Sequence, residues 1–304
     1  MISAPNQKVM IFDSGGGGLS VSEAIVAAQL PLDLYYLADF AGFPYGKKEQ
    51  AELAATALAL ITSALDLIRP AALVLACNTA STALLPMLRA QTQVPIIGVV
   101  PAIKPASLAS QSQVIAVLAT PGTIQSQYLE TLRMQSCPET RLIPCADAEL
   151  VSLIELWLSR ARKPWFDPDI KAQLRRNLSC LHEQAPNIDQ LVLACTHFPL
   201  VKHLFEQVLL ELDWAVHLVD SGQAIARRLG SLLSLQAEPN PRVRQLVMRG
   251  PDQKSAGASS PSIAPGTCER AQGYRDFFTR LAGKSSVDWV WLEITGRNPC
   301  VSCR

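Results

Sequence analysis

Two cysteines close nearly identical stretches of this chain. Residues 73–81 read LVLACNTAS and residues 191–200 read LVLACTHFPL, so LVLAC occurs twice, with Cys77 and Cys195 118 positions apart. Each is an apolar run of strand length that stops at a cysteine and meets small or polar residues able to open a helix. A lone cysteine at a strand end is usually a small buried hydrophobe. Two at matched ends point to chemistry. The backbone N–H groups of a helix start favour anions, lower a thiol's pKa and bind carboxylates. Two thiols facing each other suit a reaction with a base on one face of a carbon and an acid on the other. Moving the α-proton of an amino acid across its two faces is such a reaction. Asp13 can polarise one thiol. His197, two residues past Cys195, can do the same for the other. Cys with His is also the pair of thiol hydrolases, so a nucleophile reading stays open. A hydrolase, however, has no use for a second matched cysteine.

The elements that must carry these residues follow from the apolar pattern. Residues 9–12 (VMIF) form a strand that runs into Asp13-Ser14-Gly15-Gly16-Gly17-Gly18, and a helix follows over 19–30. The turn lacks both the GxGxxG dinucleotide fingerprint with its downstream acid and the GxxxxGK[ST] phosphate loop. Strands are expected over 34–38, 71–76 and 95–99, with helices over 49–69 and 81–91; Pro86 marks a kink or a boundary in the latter. The plan then repeats. Strands fall at 114–118, 141–145, 190–194 and 215–219, and helices at 124–134, 149–162, 169–184 and 200–212. This predicts an α/β fold of two similar doubly wound, flavodoxin-like parallel-sheet domains related by a pseudo-two-fold axis. Their cleft holds the site, because ligands of such sheets sit beyond the carboxyl ends of the strands. The expected domains are residues 1–100 with 212–304, and residues 101–211. The helix over 223–235 should return to the first half. Residues 237–265, rich in Pro, Gly, Ser and Ala, read as a loop; residues 268–282 read as a helix and 287–294 as a strand.

Composition limits the alternatives. With 304 residues, 49% hydrophobic and 17% charged, the chain is long and apolar enough for two cores. Net charge is +1 with no long basic block, against a general nucleic-acid surface. The most apolar helical stretch, 53–65, is shorter than the ~20 residues of a membrane span. No signal-peptide pattern opens the chain, so a cytoplasmic location is expected. The eight cysteines are scattered, as free thiols in a reducing compartment. The terminal Cys300-x-x-Cys303 lacks the second pair or histidine of a metal site.

Six motifs in order resemble glutamate racemases of the cofactor-independent Asp/Glu racemase superfamily. They are IFDSGGGGLSV (11–21), PYG (44–46), ACNTAS (76–81), GVVPAIKPA (98–106), ACTHFPL (194–200) and LVDSG (218–222). The resemblance implies interconversion of L- and D-glutamate, supplying D-glutamate for peptidoglycan, by two cysteines without cofactor or metal. It implies that Cys77 takes the α-proton of D-glutamate and Cys195 that of L-glutamate. Asp13 then assists Cys77, and His197 assists Cys195 with Glu155 of LVSLIE behind it. Substrate contacts are implied for Asp13, Ser14, Tyr45, Gly46, Asn78, Thr79, Thr196 and His197, with Thr120 and Thr123 toward the side-chain carboxylate. An aspartate or broader amino-acid racemase is the nearest alternative. Some relatives bind DNA gyrase; nothing in this composition supports or excludes that partner, and a homodimer is equally open.

Overall fold

The computed structural model describes residues 7–160, 166–236, 242–249, 288–289, 291–293 and 300–302. Two parallel sheets organise it. The first is built from β1 (Gln7–Asp13), β2 (Leu32–Asp39), β3 (Ala72–Leu75) and β4 (Ile96–Gly98). The second contains β5 (Val114–Ala119), β6 (Arg141–Ala146), β7 (Gln190–Leu193) and β8 (His217–Val219). Their orders, β2-β1-β3-β4 and β6-β5-β7-β8, are the same winding used twice. The register makes the equivalence residue by residue. Phe12 lies opposite Leu75 on β3, and Leu118 opposite Leu193 on β7. Cys77 and Cys195 each stand two residues beyond those leucines, so they are equivalent positions in the two halves.

The inner strands β1, β3, β5 and β7 carry apolar runs because helices cover both faces of each sheet. Side chains alternate across the sheet. Met10, Phe12, Leu73 and Leu75 therefore pack with α2 (Gln50–Ile68) and α3 (Asn78–Gln91). Val9, Ile11, Leu34 and Val74 share the opposite core with α1 (Leu19–Ala27) and α10 (Gly222–Leu232). That core continues without a break into the second half, through Leu118, Leu193 and the helices α7 (Glu149–Ser159), α8 (Pro168–Gln184) and α9 (Lys202–Glu211). The other face of the second sheet is covered by α4 (Ile103–Ala109) and α6 (Gln127–Ser136). Among the described residues, α2 alone contains a window, Ala51–Ile68, apolar and long enough to cross a membrane. Leu53, Ala57, Leu60, Ile61 and Ala64 of that helix are buried against the first sheet.

Several expectations are corrected. The helix after Cys77 begins at Asn78, not Ser81, because the cysteine itself is its N-cap; Pro86 sits inside it. Residues 103–109 form α4, with Pro105 in the first turn, where a proline's missing N–H costs no bond. The helix expected over 124–134 is two: α5 (Pro121–Ile124), and α6 capped anew by the Ser126 hydroxyl. The segment from 212 does not return at once, since β8 extends the second sheet beside β7. The return is made by α10, anchored by the Ser221 hydroxyl donating to the Val100 carbonyl at 2.7 Å. The span 237–265 contains a strand, β9 (Arg242–Arg249), parallel to β2 in the first sheet. The expected strand over 287–294 is split between β10 (Asp288–Trp289), beside β9, and β11 (Trp291–Glu293). The latter pairs antiparallel with β12 (Cys300–Ser302). The expected helix over 268–282 and Cys303 lie outside the described residues.

Candidate active site

In each sheet the winding reverses beside the central strand, which opens a crevice at the carboxyl ends. β1 and β3 bring Asp13 and Cys77 to one crevice; β5 and β7 bring Thr120 and Cys195 to the other. The two crevices face each other. Their cleft encloses about 440 Å³, counting its mouth, and is lined by Ser14, Tyr45, Gly46, Cys77, Asn78, Thr79, Thr120, Thr123, Cys195, Thr196 and His197. Eleven of the thirteen residues expected at the site therefore share one cavity. Asp13 and Glu155 do not line it. They stand buried behind its wall, so the expected substrate contact of Asp13 is not a feature of this geometry.

The two thiols are equivalent in position and different in surroundings. Cys77 caps α3, and its sulfur accepts from the Ala80 N–H at 3.5 Å and lies 3.7 Å from the Ser14 hydroxyl. These contacts favour a thiolate, as the sequence suggested. Burial outweighs them, and with the nearby Asp13 charge it pushes Cys77 up to about 12. Cys77 is thus held as a thiol. Cys195 is followed by a tight turn and a short 3-10 helix, Phe198–Val201, rather than by an α-helix start. Its sulfur instead lies 3.7 Å from Nδ1 of His197.

His197 is fully enclosed, and its Nε2 lies 2.6 Å from Oε2 of Glu155. Burial alone would lower the imidazole's proton affinity. The hydrogen bonds to Cys195 and Glu155 outweigh it and hold His197 well above its ordinary value. The result is a proton kept against the Cys195 sulfur. Glu155 comes from the buried face of α7, and the same oxygen accepts from the Gly16 N–H at 3.0 Å. The register puts Thr79 where the second half has His197, and Ala119 where the first half has Asp13. The repeat has therefore diverged in its proton-handling groups while keeping its thiols.

Asp13 is completely buried at the end of β1. One oxygen accepts from the Gly15 N–H at 2.9 Å and the other from the Thr196 hydroxyl at 3.0 Å. Desolvation raises its pKa to about 6, against the opposing pull of His197. The turn after it must be glycine where it meets the other half. A Cβ on Gly17 would lie 2.4 Å from Oγ1 of Thr196 and 2.5 Å from Nδ1 of His197.

The remaining walls carry several neutral polar groups. Thr79, Thr120 and Thr123 bring three hydroxyls within 3.1–3.4 Å of one another. Asn78 has a buried side-chain oxygen with no hydrogen-bond partner, unlike any other such atom among the described residues. A buried acceptor left unpaired is costly unless a ligand donor meets it. The Tyr45 hydroxyl is committed to Asp39 at 2.6 Å, so this residue offers the cleft its ring and backbone rather than its hydroxyl. Sequence reasoning missed Phe43, Lys47, Ala148 and Val151, which also line the cleft. Phe43 covers the His197 ring at 5.9 Å. Phe43 and Lys47 flank the quoted PYG, and that adjacency was the available signal. Val151 lies within the quoted LVSLIE, and nothing local marks Ala148.

Two similarly wound parallel sheets, with a thiol at the same register position on each wall of one cleft, define a two-lobed α/β enzyme of paired-thiol type. The chain belongs to the Asp/Glu/Hydantoin racemase family, whose model matches residues 19–229. It is 40% identical over 237 residues to a glutamate racemase of Shewanella frigidimarina, covering 78% of this chain and 87% of the relative. It is 42% identical over 236 residues to one of Vibrio cholerae, covering 77% and 84%. Among solved structures, an Escherichia coli glutamate racemase in complex with L-glutamate and the activator UDP-MurNAc-ala aligns at a TM-score of 0.75. The identity is 31%, over 96% of this chain and 100% of that one.

Proposed function

We propose that this chain is a glutamate racemase that interconverts L- and D-glutamate by two-thiol α-proton transfer, with no cofactor. The observation that carries the reading is the pair of register-equivalent cysteines in one cleft, each with a different proton partner. Relatives named glutamate racemase at about 40% identity over most of the chain support the substrate.

In the direction from L-glutamate, Cys195 removes the α-proton while Cys77, held as a thiol, delivers its own proton to the opposite face. One C–H bond breaks and one forms, and the thiols exchange protonation states. D-glutamate runs the same steps in reverse. Asp13 stabilises the proton on Cys77, and His197, oriented by Glu155, manages the proton at Cys195. The Asn78 oxygen meets the substrate ammonium. Ser14, Thr79, Thr196 and the backbone at Tyr45–Gly46 hold the carboxylates, with Thr120 and Thr123 at the side-chain end. Small hydroxyl donors in a dry cleft suit an anionic intermediate that water would quench.

The product serves peptidoglycan synthesis, and the cytoplasm is the compartment this reading assigns. The two lobes are residues 1–100 and 101–219, with α10 returning to the first. Neither a homodimer nor a gyrase partner enters the reading. Incubation with L-glutamate in D2O, without added cofactor, tests it: the circular-dichroism signal must decay to zero as deuterium enters the α-position. An unchanged signal sinks the proposal. Faster decay with L-aspartate favours the broader racemase, and an acyl-enzyme on Cys195 with Cys77 dispensable favours a hydrolase.

A further inference from the structure

We propose that Tyr36 is a positioning residue for the Cys195 side of the site, acting through the Gly15–Gly16 peptide to hold Glu155 against His197. The proposal rests on the racemase reading above. Tyr36 lies on β2, is 1% exposed and does not line the cleft. Its hydroxyl donates to the Gly15 carbonyl at 2.7 Å. That carbonyl and the Gly16 N–H belong to one planar peptide, so fixing one end fixes the other. The Gly16 N–H donates at 3.0 Å to the Glu155 oxygen that also lies 2.6 Å from His197, and His197 lies 3.7 Å from the Cys195 sulfur. A run of four glycines has little intrinsic preference for one orientation; Asp13 holds the Gly15 N–H, and Tyr36 holds the carbonyl end of the same residue.

Packing alone does not account for the hydroxyl. Phenylalanine would fill the same ring space, whereas a buried phenol must find an acceptor. Burial, with Asp13, Glu155 and Cys77 close by, holds its proton affinity well above the ordinary value, so it stays a neutral donor throughout the working range. Tyr36 thus links the first sheet to a thiol carried by the second, without touching substrate.

Tyr36→Phe tests this. Because the two enantiomers have equal free energy, kcat/KM must be the same from either side, which gives an internal check. The expected result is a fall of about tenfold in kcat/KM, mostly in kcat, with KM changed by less than about twofold. The alkaline limb of the pH profile should rise, because a Glu155 that loses its Gly16 donor holds the His197 proton more tightly. In a Glu155→Gln background the same substitution should cost less than about twofold, since its route has been removed. A kcat/KM within twofold of the parent with an unmoved limb, or costs that multiply independently in the double variant, overturns the proposal. Where Tyr36→Phe does not fold, 3-fluorotyrosine at position 36 keeps the ring and is a stronger donor. The limb must then move down, and an unmoved or rising limb is refuting. A parent protein that fails to racemise glutamate refutes the functional reading instead.

Discussion

Replacing Asp13 by Asn should make the protein more stable and nearly inactive, and the stability gain should depend on pH in a defined way. Asp13 is wholly buried, and desolvation is the main cause of its rise from 3.8 to about 6. An acid whose folded pKa is raised binds its proton more tightly folded than unfolded. Below about pH 3.8 both states are protonated and nothing is lost. Between 3.8 and about 6 the unfolded chain ionises first, and the fold loses stability; above about 6 the loss is complete. At about 1.4 kcal/mol for each tenfold change in proton affinity, the full loss is about 3 kcal/mol. Asparagine keeps an oxygen for the Gly15 N–H and an amide for Thr196, but carries no charge to desolvate. Urea unfolding at pH 8 should therefore show Asp13→Asn more stable by up to about 3 kcal/mol, with the difference shrinking toward zero near pH 4. Racemisation should drop by about 100-fold, because the carboxylate beside Cys77 is gone. In the parent protein the acid limb of activity should fall near pH 6. A variant no more stable than the parent at pH 8, or one whose gain is the same at both pH values, refutes the argument.

The site makes further demands. Cys77→Ala and Cys195→Ala should each abolish racemisation of both enantiomers, measured by polarimetry; full activity surviving in either sinks the two-thiol mechanism. Gly17→Ala should displace Thr196 and His197, since no Cβ can occupy 2.4 Å from a hydroxyl, and kcat/KM should fall by about 100-fold. A parent-like rate would mean that the turn moves freely. Asp147 caps α7 through the Leu150 N–H and is held by Gln173 and Asn177 of α8. Asp147→Ala should cost about 2 kcal/mol in urea unfolding, and a loss under about 0.5 kcal/mol would contradict that role.

The thiols were legible because parallel strands buried on both faces show up as apolar runs, and chemistry begins where such a run stops. LVLAC written twice marked two of these stops. The repeat also revealed the shared winding, since two copies of one element order predict two copies of one sheet. The strand β9 was not legible. Its stretch is dominated by Pro, Gly and Ser on either side, and a strand that borrows its pairing from β2 carries little pattern of its own. The boundary at 212 failed for a related reason: β8 is three residues long, and only pairing with β7 assigns it to the second sheet.

What the sequence determined by itself is the set of reactive types and the order in which they arrive: Asp13, then Cys77, then Cys195 with His197 two residues on. Tertiary structure decided what each can do with a proton. The helix start at Cys77 argues for an acidic thiol, yet burial beside Asp13 reverses that. Resemblance alone marked Glu155, and only the fold shows that Gly16, 139 positions away, donates to the same oxygen that meets His197. Tyr36 carries no motif chemistry at all and becomes relevant only through the peptide it holds. Proton affinity depends on the solvent a group loses and the charges packed around it. Both are supplied by residues far away in the chain, so neither can be read along it.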